Sequence, residues 1–409
     1  MRAYERLIRY TQFPTASDGD SPTCPSTPEQ LVFARALVQE MKDMGIADAM
    51  VDENGYVYGT IPGNVEKAPT IGFIAHMDVV GDVPCENVKT HIHEGYDGGD
   101  IVLNKELGIV MRAAEFPELQ RYVGCDLLVT DGTTLMGADD KCGIAEILTL
   151  AEKLLSDPSI PHGTVKIGFT PDEEIGRGAH RFNIPYFGAD FAYTVDGGPF
   201  GEVEYETFNA CDCNIEIQGK NIHPGTAKNK MKNALLIANE ILNMLPEHET
   251  PGHTEGREGY YHLNEMAGSV ESVHMHFYLR DFDRAMLETR KETMRRIGQY
   301  LNFRYGEGTV TVHLEDWYKN MADVLRDHFD IVETARQVVV EMGAEPISQP
   351  NRGGTDGAVL SYMGLPCPNL GLGSHNHHGK MEYAVIQHMD KVVLHMQGIL
   401  EKFAEKAQQ

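Results

Sequence analysis

Several short stretches of this sequence set histidines and carboxylates where a folded chain could hold cations. His76-Met77-Asp78 offers an imidazole with an acid two residues on. One ring nitrogen can bind a metal while the carboxylate holds the other and fixes the tautomer. Gly137-Ala138-Asp139-Asp140-Lys141 places paired acids just ahead of a helical pattern. There they can complement a helix N-terminus, or one of them can bridge two cations. Glu173-Glu174 are neighbours in a loop, so one can bind while the other stays free as a base. Asp196-Gly197-Gly198 ends an apolar run in glycines that let the backbone turn. His375-Asn376-His377-His378-Gly379-Lys380-Met381-Glu382 supplies more imidazoles than a site needs, and spacing leaves the ligand open. Singly, each stretch has an ordinary reading as a loop histidine, a helix start or a solvated acid pair. Together they suit two divalent cations bridged by one acid, with zinc or its neighbours as the metal. Two metals roughly 3.5–4 Å apart lower the pKa of a shared water and support amide hydrolysis.

These residues need elements to position them. Thr70-Ile71-Gly72-Phe73-Ile74-Ala75 reads as a buried strand running into His76. Val165 to Phe169 is a strand running into Pro171-Asp172-Glu173-Glu174, and Phe191 to Val195 is another running into Asp196. Between them, Gly143 to Leu155 has a helical apolar face in Ile144, Ile147, Leu148 and Ala151. Ser26-Thr27-Pro28-Glu29 is a helix start, followed by a stripe of Leu31, Ala34, Val38 and Met41 and a stop at Gly45. Asn54-Gly55 marks a hairpin. Alternating strands and helices predict an α/β sheet, whose ligands gather at the carboxyl ends of its strands.

The pattern changes near residue 206. Alternation appears in Asn214–Gln218 and Val273–Leu279, with helical periodicity at 231–245 and 284–302, which predicts a compact α+β insertion. From about 322 the α/β character returns. The expected organisation is therefore 1–205 and 322–409 as the two parts of one domain, with 206–321 inserted between them.

Composition narrows the partners. The 409 residues include 35 Lys and Arg against 61 Asp and Glu, a formal net charge of −26. Such a field repels phosphate backbones and anionic lipid, so neither nucleic acid nor membrane is expected as a partner. The opening MRAYERLIRYTQFP lacks a continuous apolar core, so it does not read as a secretory signal. The expected location is cytoplasmic. Seven scattered cysteines form no C-x-x-C pair, and Cys211-x-Cys213 is too close for a structural zinc site, so all seven are expected reduced. No G-x-x-x-x-G-K-[ST] occurs, and Gly371-Leu372-Gly373 lacks the later glycine of a dinucleotide loop.

The sequence resembles the M20 metallopeptidase family along essentially its whole length, and within that family is most similar to the tripeptide aminopeptidases. The resemblance rests on GFIAHMD, LMGADDK, FTPDEEIGRGAH, AYTVDGG, HPGTAKNKMKNAL, YLRDFDR, NRGGTDGAVLSYMGLPCPN and HGKMEY. It implies a zinc-peptidase-like α/β catalytic domain, a mixed sheet flanked by helices, interrupted by a smaller α+β dimerisation and lid domain. The ligands it implies are His76, Asp139, Glu174, Asp196 and His378, with Asp139 as the bridge and a cis peptide bond following it. His378 is preferred to His377 and His375 because it stands four residues before Glu382. Glu173 is implied as the general base that takes a proton from a metal-bridging water and passes it to the leaving amine, with Asp78 orienting His76. His223 is implied as a stabiliser of the oxyanion. Arg280 and Arg352 are the candidates for holding a peptide's C-terminal carboxylate, where a guanidinium fork suits the geometry. The implied cofactor is a pair of zinc ions, with cobalt or manganese as substitutes, and the implied assembly is a homodimer acting on tripeptides. Another M20 activity (dipeptidase, carboxypeptidase or N-acyl amino acid deacylase) and a non-catalytic metal-binding dimer are the alternatives; Glu173 and the ligands, all present, argue against the latter. The chain departs from the family in its histidine-rich 373–378 stretch and in Cys211 and Cys213.

Overall fold

The run Ile71–His76 shows no polar alternation, and every residue in it is buried. A strand like that belongs at the centre of a sheet covered on both faces. In the computed structural model, which describes residues 1–409, it is the middle strand of seven. Their order is Met50–Val51, Val57–Ile61, Val165–Thr170, Ile71–His76, Phe191–Val195, Asn369–Leu370 and Val203–Glu204. Val165–Thr170 and Phe191–Val195 flank the middle strand and run parallel to it, with His76 opposite Thr170 and Ile74 opposite Thr194. The outer partners Val57–Ile61 and Val203–Glu204 are antiparallel to their neighbours, so the sheet is mixed. Because the three central strands share one direction and register, the residues following each of them emerge at one edge.

The helix Ala138–Ser156 packs on the middle strand, and Ala3–Tyr10 and Ile386–Gln408 pack on that helix. It begins earlier than its apolar stripe predicts, and Asp139 and Asp140 within its first turn have non-helical backbone angles. In Pro28–Asp43 the buried stripe runs through Phe33, Ala34, Leu37 and Met41, leaving Leu31 and Val38 of the expected face half-buried. The hairpin at Asn54-Gly55 joins Val51 to Val57, with Gly55 at φ +89°. A second sheet, Ser374–His375, Tyr383–Val385, Leu127–Thr130 and Thr90–His93, has no counterpart in the sequence expectations. Its first two strands pair Ser374 with Ala384 and His375 with Tyr383, so the histidine-rich stretch is the loop between them.

The chain divides into two units: Met1–Tyr205 with Asp323–Gln349 and Thr355–Gln409, and Glu206–Ala322 with Pro350–Gly354. In the second unit, Asn209–Gln218 and Ser272–Asp281 form the middle of an antiparallel sheet edged by Tyr260–Gly268 and Val310–Asp316. Helices Ala234–Met244 and Arg284–Tyr305 pack against it. Alternation along Asn209–Gln218 turns Cys211, Cys213, Ile215 and Ile217 into one apolar core with Met275, Phe277, Ile237 and Leu301. The two thiols are thus packing groups, and all seven cysteines are free. The short Pro350–Gly354 stretch was expected with the first unit. Instead Asn351 bridges Thr207, and Arg352 donates to the carbonyls of Gly256 and Glu258. No helix is long and apolar enough to cross a membrane.

Candidate metal centre

His76 closes the middle strand, and its ring is 3% exposed. Its backbone N–H donates to Asp140 Oδ2 at 2.9 Å, while ring Nδ1 lies 3.0 Å from the carbonyl oxygen of Asp78. A carbonyl only accepts, so Nδ1 carries a hydrogen, and Nε2 is the ring nitrogen left to take a cation in place of its own proton. Nε2 faces Asp139 Oδ1 at 2.9 Å and Asp196 Oδ1 at 3.4 Å. The sequence reading had the Asp78 carboxylate orienting His76. That carboxylate stands 3.5 Å from Nδ1 and accepts the backbone N–H groups of Glu173 and Glu174 at 2.9 and 3.1 Å. Asp78 therefore sets the ring through its backbone and the acidic loop through its side chain.

The three histidines of the 375–378 loop separate by their partners. His375 Nε2 accepts the Tyr122 hydroxyl at 2.6 Å, and its ring stacks on Tyr383. His377 Nε2 lies 2.8 Å from Ser374 Oγ, and its Nδ1 is 3.5 Å from Asp139 Oδ2. His378 Nε2 sits 3.1 Å from Asp139 Oδ2 and 3.0 Å from Glu174 Oε2. Each oxygen of Asp139 thus faces a different imidazole. Two groups result, His76-Asp139-Asp196 and Asp139-Glu174-His378, each with its ligand atoms within 4.8 Å of one another and Asp139 common to both.

Residues that the sequence reading left without a role hold these ligands in place. The peptide bond between Asp139 and Asp140 is cis. Asp140, fully buried, accepts from His76 and from the N–H of Gly143. Gly143 has to be glycine, since a Cβ there would lie 2.1 Å from the Val195 carbonyl oxygen. Asp172 is held at φ +60° by Ser26 and by Gln30 Nε2 at 2.7 Å, and so aims the next two residues, Glu173 and Glu174. Asp196 donates its backbone N–H to Asn369 Oδ1 at 3.1 Å, and Asn369 donates to Glu204 at 2.7 Å. Asp172, Asn376 and His378 all have positive φ without being glycine. Such conformations cost on the order of 1–3 kcal/mol each and collect where surrounding structure enforces a site. None of these supports has a periodic or spacing signal in the sequence.

The electrostatics test whether cations fit. Desolvation pushes Asp196 up to about 8 and raises Glu173 and Glu174. Desolvation also opposes ionisation of Asp139, yet His377, His378 and His76 hold its carboxyl well below the usual range. Hydrogen bonds to Asp139 and Glu174 raise His378 to about 11. The imidazoles thus stand where positive charge is demanded by several acids at once, and Glu174 Oε1 is buried with no hydrogen-bond partner. An orphaned buried carboxylate oxygen on a member of one of two imidazole-carboxylate groups that share Asp139 is what bound divalent cations would satisfy. The residues present therefore fit a pair of such cations.

Of the residues singled out in the sequence, His76, Asp78, Asp139, Glu173, Glu174, Asp196 and His378 all lie in the first unit. His223, Arg280 and Arg352 lie in the second. His223 is exposed and accepts the Gly225 N–H on Nδ1 at 3.1 Å, which leaves the hydrogen on Nε2. Arg280 is 5% exposed, donates to the Leu279 carbonyl at 3.1 Å and lies over the rings of Tyr278, Trp317 and Tyr318.

Parallel strand ends converging on two ligand groups that share a carboxylate define a two-metal hydrolase architecture. Comparison with known proteins places it further. Residues 205–309 match the peptidase dimerisation domain of the M20 family. Peptidase T of Halothermothrix orenii is 54% identical over 406 residues, covering 99% of this chain and 100% of that protein. Peptidase T of Caldanaerobacter subterraneus subsp. tengcongensis is 53% identical, with 99% of both chains covered. Among solved structures, aminopeptidase PepT from Bacillus cereus superposes with a TM-score of 0.77 at 22% identity, over 98% of each chain. A dinuclear metal-binding M20 peptidase from Bacillus subtilis superposes at 0.65 with 14% identity, over 98% of this chain and 99% of that one. The chain belongs to the peptidase T family of M20 metallopeptidases.

Proposed function

We propose that the protein is a cytoplasmic, homodimeric two-zinc aminopeptidase that releases the N-terminal residue of tripeptides. The observation that carries this reading is the placement of Glu173. It is a desolvated carboxylate beside both ligand groups, belonging to neither, on a loop pinned by Asp78. The full-length similarity to proteins named peptidase T supports the substrate class. The match to a dimerisation domain supports the homodimer.

Bound zinc would be held by His76, Asp139 and Asp196 on one side and by Asp139, Glu174 and His378 on the other, where it supplies Lewis-acid polarisation and acidifies water. Glu173 takes the proton of the attacking water and passes it to the leaving amine. Its burial raises its proton affinity above that of an exposed glutamate, which suits a group that must hold a proton and then release it. Asp78 keeps Glu173 and Glu174 in register through their backbone N–H groups. The surrounding carboxylates favour the ammonium end of an unblocked peptide. His223, with its hydrogen on Nε2, is suited to donate to the carbonyl oxygen as negative charge develops there. Arg352 meets backbone carbonyls, the Thr254 hydroxyl and aromatic rings, and Arg280 has no carboxylate nearer than 3.9 Å, so both charges suit a peptide carboxylate. Anchoring both ends of a substrate at a fixed separation favours one peptide length.

The test is hydrolysis of unblocked di-, tri- and tetra-alanine and of N-acetyl-trialanine, with and without chelator. Chelator-sensitive release of the first residue from trialanine alone is the expected result. Turnover of the acetylated peptide in its place would assign a different M20 activity to the same site.

A further inference from the structure

We propose that a cavity in the first unit, between Pro22–Cys24 and Arg177–Arg181, binds a small oxyanion of the phosphate class. The cavity has a volume of about 360 Å³ and is lined by Pro22, Thr23, Cys24, Arg177, His180 and Arg181. That volume is at the lower end of those that hold small ligands. No carboxylate lines it, on a chain where acids outnumber Lys and Arg by 61 to 35.

Neither guanidinium on its wall is in an ion pair. Some arginines of this unit are neutralised at close range: Arg6 pairs with Glu40 and Glu152 at 2.9 Å. Arg177 instead donates to the carbonyl oxygens of Ser21 and Gly19 at 2.7 and 2.8 Å. Arg181 donates to Asn54 Oδ1 at 3.0 Å. Neutral acceptors fix where a guanidinium lies without neutralising it, and the remaining N–H donors are left for an anion. A guanidinium fork matches the edge of a tetrahedral oxyanion, and two forks with an imidazole between them bind it from several sides.

The wall is firmly built. Arg177 and His180 lie one tight turn apart, and Arg181 ends the same turn, Gly178–Arg181. That turn is pinned from beneath by buried Ala179 and Phe182 and by the Tyr56 hydroxyl, which donates to the Gly178 carbonyl at 2.6 Å. The opposite wall is tied through Ser26, whose N–H donates to Asp172. The same loop carries the acids of the metal centre: Arg177 N–H donates to the Asp172 carbonyl at 2.9 Å, and Gly176 N–H to that of Glu173 at 2.7 Å. An anion clamped by Arg177 and Arg181 would stiffen the loop that presents Glu173 and Glu174.

The metal-loaded protein is titrated with sodium phosphate, and in parallel with glycerol phosphate, at ionic strength held constant with chloride, while Tm is followed. A saturable rise in Tm is expected, and a rise with glycerol phosphate as well would show that the anion can arrive as the end of a larger molecule. Arg181→Glu should abolish the rise while keeping the Tm in chloride and the trialanine turnover of the parent. If Arg181→Glu does not fold, Arg181→Gln should raise the half-saturating concentration about tenfold, the loss of one charge-assisted fork. No saturable response in the parent, or an equal response in the Arg181 variants, overturns the proposal.

Discussion

Glu382 holds Asp139 by its backbone: Oε1 of Glu382 accepts the Asp139 N–H at 3.0 Å, while Oε2 accepts those of Gly137 and Met136 at 2.7 and 3.1 Å. Glu382 is 1% exposed, and burial pushes its carboxyl up to about 7. Three N–H donors of the turn before the helix Ala138–Ser156 thus converge on one carboxylate, and the turn delivers the acid shared by both ligand groups.

Removing that carboxylate should be felt first as metal affinity. Glu382→Ala strands three buried donors and frees the Asp139 turn, and supports of this kind are worth on the order of 10–100-fold in metal binding. Competition with a chromophoric chelator is the measurement. Parent-like affinity in Glu382→Ala would show that the turn holds its shape unaided.

Glu173 should behave in the opposite way. It lies outside both ligand groups, so Glu173→Ala should retain full metal content while kcat on trialanine falls by at least roughly 10². Elemental analysis beside steady-state kinetics makes the check. Near-normal turnover would remove Glu173 as the base, and lost metal would recast it as a ligand.

The contrast between these two residues shows what the sequence discloses. Glu173 was legible because it follows a mostly apolar run, Val165–Thr170, which is buried except at Lys166 and lies beside the middle strand. The same pattern located His76 and Asp196 at the ends of Ile71–His76 and Phe191–Val195. Glu382 appeared only as a spacing marker for His378, because its work is done on backbone N–H groups some 245 residues earlier, which leave no pattern in sequence. The small sheet was missed for a related reason. Ser374–His375 and Tyr383–Val385 are too short to show a period of two. Asp78 was half read: an H-x-D pair suggests a side-chain contact, whereas the backbone carbonyl takes the ring and frees the carboxylate for the acidic loop.

Metal removal should lower stability in a way that zinc restores. Without cations, desolvation pushes Asp196 up to about 8, and a buried Glu174 oxygen has no partner. A ligand that binds only the folded chain adds about 2.7 kcal/mol at a hundred times its Kd. The chelated protein should therefore melt several degrees lower and recover on titration with zinc, and Asp139→Asn should blunt the recovery. A Tm indifferent to chelator and zinc would sink the assignment of these residues as ligands.

Acid sensitivity should trace partly to His395, which belongs to neither ligand group. Its ring is 1% exposed in the helix Ile386–Gln408, and Nε2–H donates to the Ala335 carbonyl at 2.8 Å. Burial drives its pKa from 6.5 down to about 4, against the opposing effect of that bond. The folded state thus favours neutral imidazole, while the unfolded chain takes up a proton near 6.5. The contribution is fully present above pH 6.5 and is lost as pH falls toward about 4, amounting to about 3 kcal/mol across that window. Glutamine at 395 can donate the same bond without titrating. Urea unfolding of parent and His395→Gln, both in the same metal state, should diverge in slope between pH 6.5 and 5 by up to about 1.4 kcal/mol per pH unit, with the variant flatter. Parallel pH profiles would mean that His395 titrates alike in the folded and unfolded chain, and would remove it as a source of acid sensitivity.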